Sequence, residues 1–77
     1  MRALWQIAAE IEQDWKKPYF GARPYIEAMG TMDSPDQNFG LDPGKEIVLY
    51  FLANAGNWRG DVARRVKAEL KGMVGVK

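Results

Sequence analysis

Seventy-seven residues make one small domain, and a chain 47% hydrophobic and 12% aromatic with a net charge of only +1 is not a disordered tail. With no Cys and no His, disulfide-stapled and zinc-finger scaffolds are excluded, and glycine shows no collagen period. A chain of this length buries only about 60% of the surface its unfolded form exposes. Its Trp, Tyr and Phe side chains, which bury roughly 150–250 Å² each, are therefore expected first as core.

Leu4, Ile7, Ala8, Ile11 and Trp15 fall on one stripe at helical spacing, with Glu10 and Asp14 outside it, which predicts a first helix over about residues 3–16. Trp5 lies off that stripe, beside Ala9 and Glu12. Lys16 and Lys17 suit the C-terminal end of the helix dipole, and Pro18 stops the helix. Tyr19-Phe20-Gly21 connects to a short second helix over about 22–30, with Pro24 in its first turn, Tyr25, Ile26 and Met29 as its apolar side and Gly30 as its stop.

Residues 31–42 form the main loop. Ser34-Pro35-Asp36-Gln37 reads as a turn capped by Ser34, Phe39 is expected to pin the loop to the core, and Asp42-Pro43 signals a helix start. The third helix, over about 43–55, is apolar on every side between Ile47 and Ala53, so part of its surface is expected to meet a partner or a second copy. Asn54-Ala55-Gly56-Asn57 closes it, and Asn57 is placed to cap a fourth helix over about 58–72. Trp58, Val62, Val66, Leu70 and Met73 form the apolar face of that helix. The expected architecture is an all-α, compact single domain of three to four short helices spanning 1–77.

The first residues reach Glu10 and Glu12 before any long apolar run, unlike a signal peptide. Ile47 to Ala53 is far shorter than the roughly 20 residues that span a bilayer. Together with the absence of Cys, this gives the expectation of a soluble, cytoplasmic protein with no membrane partner.

Without His or Cys, the commonest general base and nucleophile pairings are missing. Asp33, Asp36 and Asp42 are the densest carboxylates, but the segment from Asp36 matches a calcium loop only at its first and third positions. Its twelfth residue is Ile47 rather than Glu. No Gly-rich phosphate loop is present. The expectation is a non-enzymatic protein with no catalytic residue, metal or cofactor.

Three binding readings remain. Trp5, Tyr19, Phe20 and Arg23 combine an off-stripe tryptophan with an aromatic pair near an arginine, the residue types enriched at protein interface hot spots, and form the leading candidate surface. The alternative is nucleic acid. Residues 1–42 carry four basic and seven acidic side chains, whereas 43–77 carry seven basic and three acidic ones. Arg64, Lys67 and Lys71 are expected as one exposed basic stripe able to lie along phosphates. Arg65, flanked at four-residue spacing by Asp61 and Glu69, is expected to be partly neutralised. A helix-turn-helix centred on Gly56 fails because Asn57 and Arg65 land where apolar packing is needed. The third reading is a structural homo-oligomer, such as a homodimer, since halves of opposite charge suit antiparallel self-association.

Asp14-Trp15, Tyr19-Phe20-Gly21-Ala22, Pro24-Tyr25, Ala28-Met29, the run Ile47 to Ala55, Trp58-Arg59-Gly60 and the run Ala63 to Lys71 resemble a group of short proteins encoded by actinobacteria and their phages. The resemblance covers nearly the whole chain. It implies a source class and no active site, and small phage or prophage accessory proteins most often act by binding something, commonly a host protein.

Overall fold

A computed structural model describes residues 2–75. Helix α1 runs Leu4–Asp14, and a 3₁₀ turn at Phe20–Ala22 leads into α2, Arg23–Met29. Strands β1, Asn38–Phe39, and β2, Asp42–Pro43, precede α3, Gly44–Ala53, and α4, Asp61–Val74. Each helix packs on its neighbour in the chain, and α4 closes back on α1. The chain is a predominantly helical globule. It is not all-α, because β1 and β2 pair as a small antiparallel hairpin, Asn38 opposite Pro43 and Phe39 opposite Asp42. Gly40, at φ 62°, supplies the positive φ that begins its two-residue turn.

The hairpin moves the start of α3. Asp42 pairs with Phe39 instead of capping the helix, and the helix begins at Gly44 with Pro43 extended before it. Gly44 donates its amide to Gln37 O at 2.7 Å, and its backbone lies so close to the loop that no Cβ fits there without displacement. Phe39 does not pin the loop: it is 44% exposed, and Met32 and Pro35 are the buried anchors. Ser34 does act as a turn cap, its Oγ accepting the Asp36 amide at 3.1 Å.

Helix α1 buries Leu4, Ile7, Ala8 and Ile11, as the periodicity predicts. It ends earlier than Lys16, because Trp15 leaves helical φ and ψ. Its indole stacks on Trp58 at 5.8 Å and 8°, and Phe51 meets both indoles edge-on. Trp58 Nε1 donates to Asp14 Oδ2 at 2.8 Å, so this aromatic trio has its polar edge satisfied. Trp58 is thus a core residue of the α3–α4 connection rather than of α4. The N-cap of α4 is Gly60, at φ 111°, and not Asn57.

The first two amides of α1 donate to carbonyls of the loop after α2, Leu4 N to Asp33 O and Trp5 N to Met32 O. The N-terminus of α1 is therefore tied to the C-terminal side of α2. At its other flank Arg2 bonds both Glu69 and Glu10, and Glu10 also receives Arg65. Arg65 finds its partner across the helix interface rather than at Asp61 or Glu69 along its own helix, because those carboxylates are held by Arg64 and Arg2. The contacts with Arg65, then Arg2, hold the Glu10 carboxyl below the usual range; Arg2 does the same for Glu69. Glu69, in turn, favours the charged form of Arg2.

Candidate protein-interaction surface

All of Trp5, Tyr19, Phe20 and Arg23 are solvent-exposed, with Phe20 the most open of the aromatics at 77%. They do not form one surface. Trp5 stands at the start of α1, its indole Nε1 donating to Asp33 Oδ1 at 3.1 Å. Tyr19 and Phe20 follow the far end of that helix, whose last residue, Asp14, lies about 13 Å from Trp5 along its axis. The off-stripe position of Trp5 is thus explained by an indole that clamps the loop at Asp33.

Tyr19 and Phe20 are joined instead by residues from α2 and α3. Their rings lie 4.7 Å apart. A Cβ on Gly21 would stand 2.6 Å from Tyr19 Cε2 and 2.9 Å from Asn54 Oδ1, so the Tyr19 ring folds over Gly21 toward the end of α3. Asn54 Nδ2 donates to Tyr50 O, one turn back along α3, and the Tyr50 ring lies 5.5 Å from that of Tyr25 on α2. Beside Tyr50 on the same open side of α3 are Leu49 and Ala53. Leu49 and Tyr50 are 40% and 45% exposed.

This gives one aromatic surface of Tyr19, Phe20, Tyr25 and Tyr50, extended by Leu49. Tyr50 is its missed member; Tyr25, which periodicity puts on the apolar side of α2, is partly buried against the core and also meets the Tyr50 ring. The signal that pointed toward Tyr50 was the third helix being apolar all round: Ile47, Val48 and Phe51 bury one side, leaving Leu49 and Tyr50 partly exposed on the other. Arg23 and Glu27 on α2, and Lys45 and Glu46 on α3, are exposed charges on the same two helices.

Next to the aromatic pair, Pro18 and Arg23 contribute to an open groove of about 240 Å³ floored by Trp15 and Ile26, with Glu12 and Glu27 on its walls.

The predicted basic stripe is interrupted. Arg64 and Lys71 are exposed, but Lys67 is half-buried and turned inward. Its Nζ donates to Ala55 O and Trp58 O, each at 2.6 Å, and lies 5.9 Å from the Trp58 ring centre. Burial, then the nearby Lys71 and Arg59, pull its pKa below the ordinary lysine value. Lys67 therefore fastens the α3–α4 connection, supplying the donor to Trp58 O and a second donor to Ala55 O, which also accepts the Trp58 amide at 3.1 Å. Of the three acidic residues considered for calcium, the Asp33 carboxylate receives the Trp5 indole and the Asp36 carboxylate the Ser34 hydroxyl, while Asp42 pairs in the hairpin through its backbone.

Among the described residues no helix is long and apolar enough to cross a membrane. No protein-family model, curated protein or solved structure matches the chain.

Proposed function

We propose that this chain is a non-enzymatic accessory protein that acts by binding another protein through Tyr19, Phe20, Tyr25 and Tyr50. The observation that carries this reading is two aromatic ring pairs, Tyr19 with Phe20 and Tyr25 with Tyr50, drawn from three elements and linked through Asn54, with Tyr19, Phe20 and Tyr50 exposed. Aromatic side chains supply large contact area with few rotatable bonds, and a fully desolvated aromatic centre inside a charged rim is the usual anatomy of an interface. Arg23, Glu27, Lys45 and Glu46 are the exposed charges on α2 and α3 available for that rim.

A different protein fits better than a second copy. Phe20 protrudes, and a protruding ring needs an apolar pocket opposite it. The groove beside it sets its Trp15 and Ile26 floor among Glu12, Arg23 and Glu27, and the second concavity carries Arg59, Arg64 and Lys67, so neither offers an all-apolar pocket. The resemblance to short actinobacterial and phage proteins is the basis for expecting a host protein in a cytoplasmic setting.

Photo-crosslinking tests this reading. A photo-reactive amino acid placed at Phe20 or at Tyr50 is expected to capture the same single protein from an actinobacterial lysate, and one placed at Asp36 to capture nothing. Crosslinks at Phe20 and Tyr50 to another copy of the chain would establish the homo-oligomer instead. Capture equal at all three positions would remove the aromatic surface as the site.

A further inference from the structure

The second concavity has a different chemistry from the aromatic surface and shares no residue with it. Where the α3–α4 connection meets the first turns of α4, Trp58, Arg59, Gly60, Ala63, Arg64 and Lys67 line an open cavity of about 270 Å³. Three of these six residues are cationic. Arg59 meets no carboxylate within ion-pair distance among the described residues, and neither does Lys71 one turn beyond Lys67.

Arg64 has only Asp61, at 2.8 Å, in a pair whose side chains are 78% and 99% exposed. Such a pair holds its geometry weakly and leaves the guanidinium free to exchange partners. The remaining acidic groups near α4 are committed elsewhere, Glu69 to Arg2 and Glu10 to Arg2 and Arg65. The cations around the cavity repel one another, which is also why Arg59 and Lys71 depress the Lys67 pKa. Lys67 has given two of its three ammonium protons to backbone carbonyls, so it holds a fixed position and retains one donor.

We propose that this cavity binds the phosphoryl group of a small phosphomonoester, held by the Arg59 and Arg64 guanidiniums with Lys67 as a fixed third cation. Asp61 offsets one of the three lining charges, leaving two. A phosphomonoester carries about −1.5 to −2 at pH 7, which matches that excess, whereas a carboxylate supplies half of it. Guanidinium forks suit phosphate oxygens in paired hydrogen bonds. The cavity, of about 270 Å³ and open to solvent, takes the phosphoryl group and a short stub, and anything larger lies outside its lining. A phosphodiester chain is disfavoured because the inward turn of Lys67 interrupts the row of cations it would follow.

The test is an NMR titration of the ¹⁵N-labelled protein with inorganic phosphate and with glycerol phosphate, at constant ionic strength and with chloride as reference. The Trp58 indole and the Arg59 and Arg64 side-chain signals are followed. Saturable shifts confined to these groups are expected, weakening as pH falls through the range where each ligand takes up its second proton, about 7 for inorganic phosphate and about 6 for the ester. Arg59→Ala and Arg64→Ala should each weaken binding about tenfold. Lys71→Ala, outside the lining, should change it less than twofold. All three positions are exposed, and an unchanged melting temperature verifies that each variant is folded. Tighter binding of glycerol phosphate assigns an organic ester, and equal affinities assign free phosphate; either supports the site. Shifts no larger than those in chloride would overturn the proposal. So would preferential binding of a short DNA duplex in which Lys71→Ala costs as much as Arg59→Ala.

Discussion

Lys67→Met is the substitution on which the sequence pattern and the folded geometry disagree most. As one member of a solvated basic stripe, Lys67 would be dispensable, and its removal would relieve repulsion from Lys71 and Arg59. In the fold its Nζ donates to Trp58 O and, beside the Trp58 amide, to Ala55 O, both at 2.6 Å, at the junction that positions Trp58. Methionine preserves much of the aliphatic stem and removes only the donor. Hydrogen bonds to charged groups contribute about 1.5–3 kcal/mol each. Taking the lower end for both bonds, because the site is only half-buried, and subtracting under about 1 kcal/mol for relieved repulsion leaves a loss of about 2 kcal/mol. For a domain of this size that lowers the melting temperature by about 8–16 °C. Thermal and urea denaturation of Lys67→Met beside Lys71→Met measure it, the latter expected within about 0.5 kcal/mol of the parent. A Lys67→Met protein as stable as the parent, or more stable, would refute the structural role.

Three further outcomes follow from the packing. Gly44→Ala should destabilise by about 2 kcal/mol or more, because its Cβ would stand 2.7 Å from both Gln37 O and Pro35 O, and backbone cannot yield as a side-chain tip can; chemical denaturation reads it directly. Trp58→Phe should cost about 1–3 kcal/mol, since Asp14 loses the indole donor at 2.8 Å while ring packing is partly kept. Glu10 and Glu69 titrate below the ordinary carboxylate range in the fold, so their contribution is present above the unfolded value near 4.3 and is lost as pH falls through their folded values. Stability measured from pH 7 to pH 3 should therefore fall, and Glu69→Gln should flatten part of that fall, by on the order of 1 kcal/mol.

What could be read from the sequence follows contact range. The buried stripe of α1 is local, set by 3.6-residue periodicity, and Leu4, Ile7, Ala8 and Ile11 are buried where that period puts them. The α1 terminus is not local: Trp15 leaves the helix to stack on Trp58, and no neighbour of Trp15 in the chain signals that partner. Arg65 illustrates the same point in charge. Its spacing from Asp61 and Glu69 is right for intrahelical pairs, yet Arg2 and Arg64 take those carboxylates and Glu10 on α1 receives Arg65. The hairpin was hidden because Asp42-Pro43 carries a genuine helix-start signal, which here lies immediately before the helix and serves as a strand. Of the candidate surface, Tyr19, Phe20 and the apolar α3 were visible as residue types. Their assembly with Tyr25 was not, because it depends on how α2 meets α3.

The central claim is that the exposed rings bind another protein and are not needed to hold the fold. Phe20, 77% exposed, and Tyr50, 45% exposed, allow the two roles to be separated. The decisive measurement is affinity for the crosslinked partner, by calorimetry, of the parent and of a Phe20→Ser/Tyr50→Ser double variant whose melting temperature is determined in parallel. The account predicts a loss of at least a hundredfold in affinity, about 2.7 kcal/mol, with stability lowered by no more than about 1 kcal/mol. Undiminished affinity in a folded double variant would contradict it.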